Sequence, residues 1–429
     1  RRRSSDVYPP GGKAAKRPDR AVNVYCRLIR EAYGDIPIAI GGVEASLRRF
    51  AHYDYWDDAV RPSILVDSGA DLLMFGMGER TILVTADWMS RVAPVWECAK
   101  MRGVCFLSPA AMRASVEIPS YEDCVRSKKK YGEAFLVQYN EQDPIRGHAI
   151  SQRHGDQYVV QTVPDMPLSR EELDQSYTLP YQRTWHPDYD ALGGVPAIEE
   201  VQFSIAHTRG CFGSCSFCAI TFLQGRIVTT RSHESVVNEA KTITQMPNFK
   251  GYIHDVGGPT ANFRQPACDR QLREGACKNR QCLYPTPCKH MRVSHTELVS
   301  LLRKMRAIPG VKKVFIRSGI RYDYLMADKS DQFLTELCRY HVSGQLKVAP
   351  EHISPNVLAR MGKPRREVYE AFVERYNAVN RKYGLNQYLV PYLMSSHPGS
   401  TLKDAVELAE YLRDTGHQPE QVQDFSPTP

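Results

Sequence analysis

The sequence predicts an α/β protein: a partial (βα)6 barrel of TIM type, preceded by a Rossmann-like α/β region. Three observations predict it. Strand and helix patterns alternate six times from residue 200 onward. Glycine or polar turns stand at the carboxyl ends of those strands, where ligands of parallel sheets bind. A strand–glycine turn–helix pattern also recurs between residues 36 and 81. Parallel neighbours need a crossover between them, so such alternation implies a parallel sheet covered by helices.

The elements run as follows. Residues 20–33 carry a helical pattern that stops at Gly34, and residues 36–40 form a strand closed by Gly41 and Gly42. Residues 63–66 and 70–75 read as two further strands, the second running through Gly76-Met-Gly-Glu79 into a helix near Thr81. This is the doubly wound pattern over residues 1–93, although a lone Gly-x-Gly serves equally as a tight turn. Over residues 94–196 the pattern weakens and only residues 158–162 read as a strand. That stretch is expected to be a surface connection.

From residue 197 the barrel begins. Strands are expected at 201–206, 251–256, 312–316, 346–349, 387–394 and 422–425, with helices at 235–245, 298–306, 331–340, 366–383 and 401–415. Ser294 and Glu297 have the spacing of a capping box. Ser354-Pro355 places a cap and a first-turn proline, and Gly384 and Gly416 stop their helices.

Composition narrows the class. A chain of 429 residues has room for two or three domains, and 42% hydrophobic content is ordinary for a globular protein. No apolar run approaches ~18 residues and no signal segment opens the chain. Twelve cysteines without a secretory signal suit a reducing compartment, so a cytoplasmic location is expected. The net charge of +8 admits acidic substrates without selecting one. The basic runs Arg1–Arg3 and Lys128–Lys130 lack interleaved aromatics and read as a solvated tail and face. Without an initiator Met, the chain reads as a piece of something longer.

The densest chemistry is Cys211, Cys215 and Cys218, spaced C-x3-C-x2-C on one short loop at the end of the first barrel strand. An iron–sulfur cube usually takes four cysteines. Three leave one iron open, by the logic that separates catalytic from structural metal sites. Zinc motifs favour paired C-x2-C knuckles, and a disulfide framework does not suit a large chain of this kind.

With Phe217 just before the last cysteine, this spacing resembles the signature of the radical SAM enzymes. The resemblance implies a [4Fe–4S] cluster whose open iron chelates S-adenosylmethionine (SAM). One-electron cleavage then gives a 5′-deoxyadenosyl radical, and an external reductant of flavodoxin or ferredoxin type supplies the electron. It also implies a SAM site at the other strand ends. Gly257, Gly258, Pro259 and Thr260 match the position of a glycine-rich SAM-binding motif, with Pro259 where an acid is common. Arg317, Ser318 and Glu351 follow the next two strands and are expected at the ribose or carboxylate. Each has a plainer reading, as a strand-end turn or a supporting hydrogen bond.

A second group, Cys268, Cys277, Cys282 and Cys288, lies in a polar insertion at 262–293, with His290 close by. So polar a segment buries little core, and four thiols there suggest a metal staple, zinc or a second cluster. The alternative is free thiols. Cys26, Cys98, Cys105, Cys124 and Cys338 read as small core residues.

Several stretches carry a closer resemblance: Gly41-Gly-Val-Glu-Ala-Ser-Leu-Arg-Arg49, Ala51-His-Tyr-Asp-Tyr-Trp56, Gly76-Met-Gly-Glu-Arg80, Gln224-Gly-Arg226 and Val348-Ala-Pro-Glu-His352. Along most of its length the chain resembles the YgiQ-type family of radical SAM proteins. That family carries a Rossmann-like region similar to cobalamin-binding domains. The segment that would hold a lower-ligand histidine lies outside this sequence, which leaves cobalamin a doubtful cofactor. Two other functions stay open at this point. One is a non-catalytic iron–sulfur or zinc protein that binds nucleic acid or a protein partner. The other is a radical methyl- or methylthio-transferase acting on RNA or protein.

Overall fold

The computed structural model describes residues 6–14, 17–91, 95–419 and 422–427, so the Arg1–Arg3 run lies outside the described residues. The N-terminal half is built on β1 (Ala39–Ile40), β2 (His52–Asp54), β3 (Ala59–Arg61), β4 (Leu72–Met74), β5 (Val104–Ser108), β6 (Val116–Ile118), β7 (Ile150–His154) and β8 (Gln157–Gln161). Six of these make one sheet in the order β1-β4-β5-β8-β7-β6, while β2 and β3 form a separate hairpin. The β1/β4 pair is parallel, as the doubly wound pattern predicts. Beyond it the sheet is antiparallel until the parallel β6/β7 pair at the far edge.

Two expectations for this half are corrected. Residues 63–66 are not a strand: Ser63 caps a short helix, Ile64–Ser68, by accepting from Leu65 N at 3.2 Å. A short apolar β-branched run reads alike for a strand and for a buried helical turn. The stretch read as a surface connection supplies β5 to β8. Its strands bury polar residues that mask the apolar pattern. Gln161 Oε1 accepts from Arg49 Nε at 2.6 Å, and Gln152 Oε1 from Ala51 N at 2.8 Å. Lys128–Lys130 open the helix Lys128–Asn140 on its exposed face, and Lys130 pairs with Glu133 at 2.8 Å.

The C-terminal half contains β9 (Ser204–Ala206), β10 (Thr208–Arg209), β11 (Thr229–Thr230), β12 (Tyr252–Ile253), β13 (Asp255–Gly257), β14 (Lys313–Val314), β15 (Gln345–Glu351), β16 (Tyr388–Ser395) and β17 (Gln423–Asp424). β9 pairs with β13, β12 with β14, β15 with β16 and β16 with β17, all parallel. A parallel bridge links Ile320, beyond the end of β14, to Val348 in β15. Apart from the antiparallel β10/β11 brace, strand order follows chain order, as a β–α barrel requires. Between strands and helices lies one apolar core that includes Ile205, Val256, Leu302, Val314, Leu346 and Phe372.

The first strand is shorter than predicted, because Ile198–Val201 form a helical turn. The expected capping box is not formed. His295 caps the helix Thr296–Arg306 while its buried ring bonds Asp328 at 2.6 Å and stacks on Phe333. Glu297 instead accepts from Arg264 at 2.9 Å. Ser354 and Pro355 do open the helix Pro355–Met361, but the Ser354 hydroxyl donates to Asp404 at 2.5 Å. A helix at Tyr322–Ala327 had no signal in the periodicity.

Candidate active site

The cysteine loop is framed by β10 and β11, whose pairing brings its two ends together. Gly210 has φ +79°, and a Cβ there would overlap the Ile227 carbonyl, so the tight entry into Cys211 demands glycine. Cys211 N donates to Gly225 O at 3.1 Å, and Cys218 N to Cys215 O at 3.1 Å. Ser216 ties the far side of the loop to Met361 O at 3.0 Å and Arg360 O at 2.9 Å. Phe212 anchors it below, stacked on Phe263 with ring centroids 3.8 Å apart.

Above this loop opens a cleft of about 260 Å³ at the strand ends. Cys211, Cys215 and Cys218 line it, and so do Phe217, Pro259, Thr260, Arg317, Ser318 and Glu351. Seven sequence positions outside the loop were expected at one ligand, and five of them border this space together with the thiols and Phe217. The other two, Gly257 and Gly258, do not line it and lie in tightly packed backbone just before Pro259. A Cβ on Gly257 would overlap Ser318 Oγ and fall 2.5 Å from Asp255 Oδ2; on Gly258 it would fall 2.5 Å from Thr208 Cγ2. Glycine is used here for close backbone approach.

Residues that sequence reasoning missed govern the electrostatics. Arg321 Nη1 donates to Cys215 Sγ at 3.2 Å, and the same guanidinium is forked onto Asp323 through Nε at 2.9 Å and Nη2 at 2.5 Å. Its pKa stays well above the ordinary value despite burial, because Asp323 and the thiols favour its charge. Burial pushes the Cys211 thiol up and Cys218 up to about 11, while Arg321 opposes the first shift and Lys363 the second. Cys211 Sγ also lies 3.7 Å from Thr260 Oγ1.

Lys363 Nζ sits 3.4 Å from Glu351 Oε1, donates to Ala349 O at 2.7 Å, and lies 5.9 Å from the Phe217 ring centre. Glu351 is buried in the left-handed region, φ +69°, and its Oε2 has no partner among the described residues. Asp255 accepts from Arg317 N at 2.7 Å and Ser318 N at 3.2 Å, shaping the next strand end. Burial raises the Asp255 pKa against those bonds. The Arg321-x-Asp323 spacing was the one available signal for this group; nothing in periodicity marked Lys363.

The second cysteine group lies in an insertion whose only helix among the described residues is Asp269–Glu274. Cys282 packs against Phe212, Phe263 and Tyr324, linking the insertion to the loop of the first group. Its thiol is pushed up to about 11 by burial and by the nearby thiols of Cys268, Cys277 and Cys288. Among the described residues, no three His, Cys, Asp or Glu side chains are gathered round a single ion position.

Residues 1–204 match the family described as Radical SAM N-terminal, and residues 205–412 the Radical SAM superfamily. Fold and sequence thus define a radical SAM enzyme. More narrowly, the chain belongs to the UPF0313 proteins. It is 58% identical over its whole length to a UPF0313 protein of Clostridium botulinum (strain ATCC 19397 / Type A), and 57% identical to one of Clostridium perfringens (strain SM101 / Type A). It spans 67% and 65% of those relatives. Among solved structures, the radical SAM methyltransferase TsrM from Kitasatospora setae, with tryptophan substrate and a SAM analogue bound, aligns over 99% of this chain and 60% of its own. The TM-score is 0.50 at 14% identity, a likeness of fold. No helix among the described residues is long and apolar enough to cross a membrane.

Proposed function

We propose that Cys211, Cys215 and Cys218 hold a [4Fe–4S] cluster and that the cleft above them binds SAM for reductive cleavage. The observation that carries this is the convergence of all three loop thiols with Pro259, Thr260, Arg317, Ser318 and Glu351 on one cleft. The donor set fits: thiols on one loop can each meet a different corner of a cube, and Arg321 supplies a fixed positive charge beside Cys215. When bound, the cluster and SAM supply one-electron cleavage to a 5′-deoxyadenosyl radical.

The chain's own residues bind, orient and exclude water. Arg321, held in place by Asp323, donates to Cys215 Sγ and fixes that ligand's position. Gly257 and Gly258 let the strand end pack against Ser318, Asp255 and Thr208, which sets Pro259 and Thr260 at the cleft for the methionyl end of SAM. Asp255 holds Arg317 and Ser318 by their amides and also bonds the Ser318 hydroxyl, leaving the Arg317 side chain to meet ribose or carboxylate. The free oxygen of Glu351 is an acceptor for an amine or hydroxyl of the ligand. Phe217 and Lys363 close the loop side against water.

An external one-electron donor of flavodoxin or ferredoxin type completes the reading. The test is anaerobic: the chain is reconstituted with iron and sulfide, reduced with dithionite, and assayed for 5′-deoxyadenosine. Formation is expected in the native chain and not in the Cys211→Ala/Cys215→Ala/Cys218→Ala variant. Retained cleavage in that variant would sink the reading. S-adenosylhomocysteine, measured in the same assay, reports methyl transfer.

A further inference from the structure

The cysteine loop has a second face. Phe217 and Cys218 also border a separate cavity of about 140 Å³, walled on the N-terminal side by Arg49, His52, Tyr131 and Gln138. That is room for a small oxyanion group.

Arg49 is only 2% exposed, yet no carboxylate pairs with it among the described residues. Its Nε donates to Gln161 Oε1 at 2.6 Å and its Nη1 to Ser46 O at 2.5 Å, leaving Nη2 without a hydrogen-bond partner. The Phe75 and Phe50 rings, 5.2 and 5.9 Å away, give cation–π contact and no counter-charge. Beside it, Gln161 Nε2 is a second buried donor with no acceptor. A guanidinium cannot shed its proton to escape burial as a lysine can. Burial holds His52 neutral, its pKa down at about 4, so Arg49 carries the positive charge of this wall. An uncompensated buried cation is costly unless something of opposite charge arrives. Of the two donors, Arg49 lines the cavity, and an oxyanion there would satisfy its free Nη2 and its charge at once.

We propose that this cavity binds the oxyanion group, phosphate or carboxylate, of a small acidic substrate, with Arg49 as its counter-charge. The substrate is thereby presented to the Phe217–Cys218 edge of the cleft. Its role as substrate rests on the radical SAM reading; the binding of the oxyanion does not.

The test follows thermal unfolding of the full chain at constant ionic strength while chloride is replaced by inorganic phosphate or by acetate. A saturable rise in Tm of roughly 2–4 °C is expected with at least one of them. A response to phosphate alone marks a phosphorylated substrate, and a response to acetate a carboxylate. Arg49→Met should abolish the rise, and Arg49→Lys, which keeps the charge but not the planar fork, should weaken it. A measurement on the native chain guards against a variant that fails to fold. Crystals soaked in selenate should show anomalous density within hydrogen-bond distance of Arg49 Nη2. Equal shifts in native chain and Arg49→Met, or no saturable shift together with no selenate at Arg49, overturn the proposal. SAM cleavage is read separately. Oxyanion binding without cleavage fails the enzyme reading alone, and cleavage without oxyanion binding fails this one alone.

Discussion

Arg321 lies 3.2 Å from the Cys215 sulfur while both oxygens of Asp323 grip the same guanidinium. A cation so placed stabilises a thiolate, and any electron added beside it. Removing the pair as a unit, Arg321→Gln with Asp323→Asn, avoids leaving one buried charge alone. The double variant should lower the midpoint potential of the reconstituted cluster by on the order of 60 mV, the one-electron equivalent of ~1.4 kcal/mol. A redox titration followed by electron paramagnetic resonance checks it.

Gly257 is packed against Ser318 and Asp255. Gly257→Ala should destabilise the fold by about 1–3 kcal/mol through overpacking and weaken SAM binding in the same variant. Urea unfolding reads the first effect and equilibrium SAM binding the second. Ser318→Ala in the same background should recover part of the stability, since it removes the atom that the new methyl meets.

Glu336, buried among Arg303 at 3.0 Å, Arg306 at 2.6 Å and His341 at 3.5 Å, has its pKa held down at about 2. Burial works against this, and the three partners outweigh it. Because the folded value lies below the unfolded one, the stabilisation is present above about pH 4.5 and is lost as pH falls toward 2. Its full size is about 3 kcal/mol. Glu336→Gln should unfold more easily at neutral pH and show a flatter stability profile through the acid range, by urea denaturation at stepped pH.

Lys363 meets Glu351 inside the cleft wall. Lys363→Met leaves a buried carboxylate unpaired and should cost about 3–5 kcal/mol. Adding Glu351→Gln should restore most of that loss. A double-mutant cycle by chemical denaturation measures the coupling.

The four thiols of the insertion predict metal beyond that of the loop cluster. Metal analysis of the reconstituted chain should find it in the Cys211→Ala/Cys215→Ala/Cys218→Ala variant. It should disappear when Cys268, Cys277, Cys282 and Cys288 are all replaced by Ala. Equal metal content in the two variants would mean that the insertion holds none.

Local chemistry was legible in the chain because it is encoded locally. The cysteine spacing, the helix 366–383 with its Gly384 stop, and the glycines after β13 each depend on residues within a turn or two. The strands β5 to β8 were not legible. Their buried Gln152 and Gln161 find partners about a hundred positions away, and such partners leave no period in the sequence. The helical turn at Ile64–Ser68 failed for the opposite reason: the three apolar residues Ile64, Leu65 and Val66 fit either element.

By itself, the sequence determined the alternation of parallel strands and helices after residue 200 and the three thiols on one loop, since both follow from short-range patterning and spacing. Only the tertiary structure decided what surrounds those thiols. Arg321 stands 106 positions from Cys215, and Lys363 reaches Phe217 from a different crossover. Arg49 enters from the other half of the chain, where the N-terminal module closes on the loop's far face. A buried charge chooses its partners by distance in space, and the folded chain alone sets that distance.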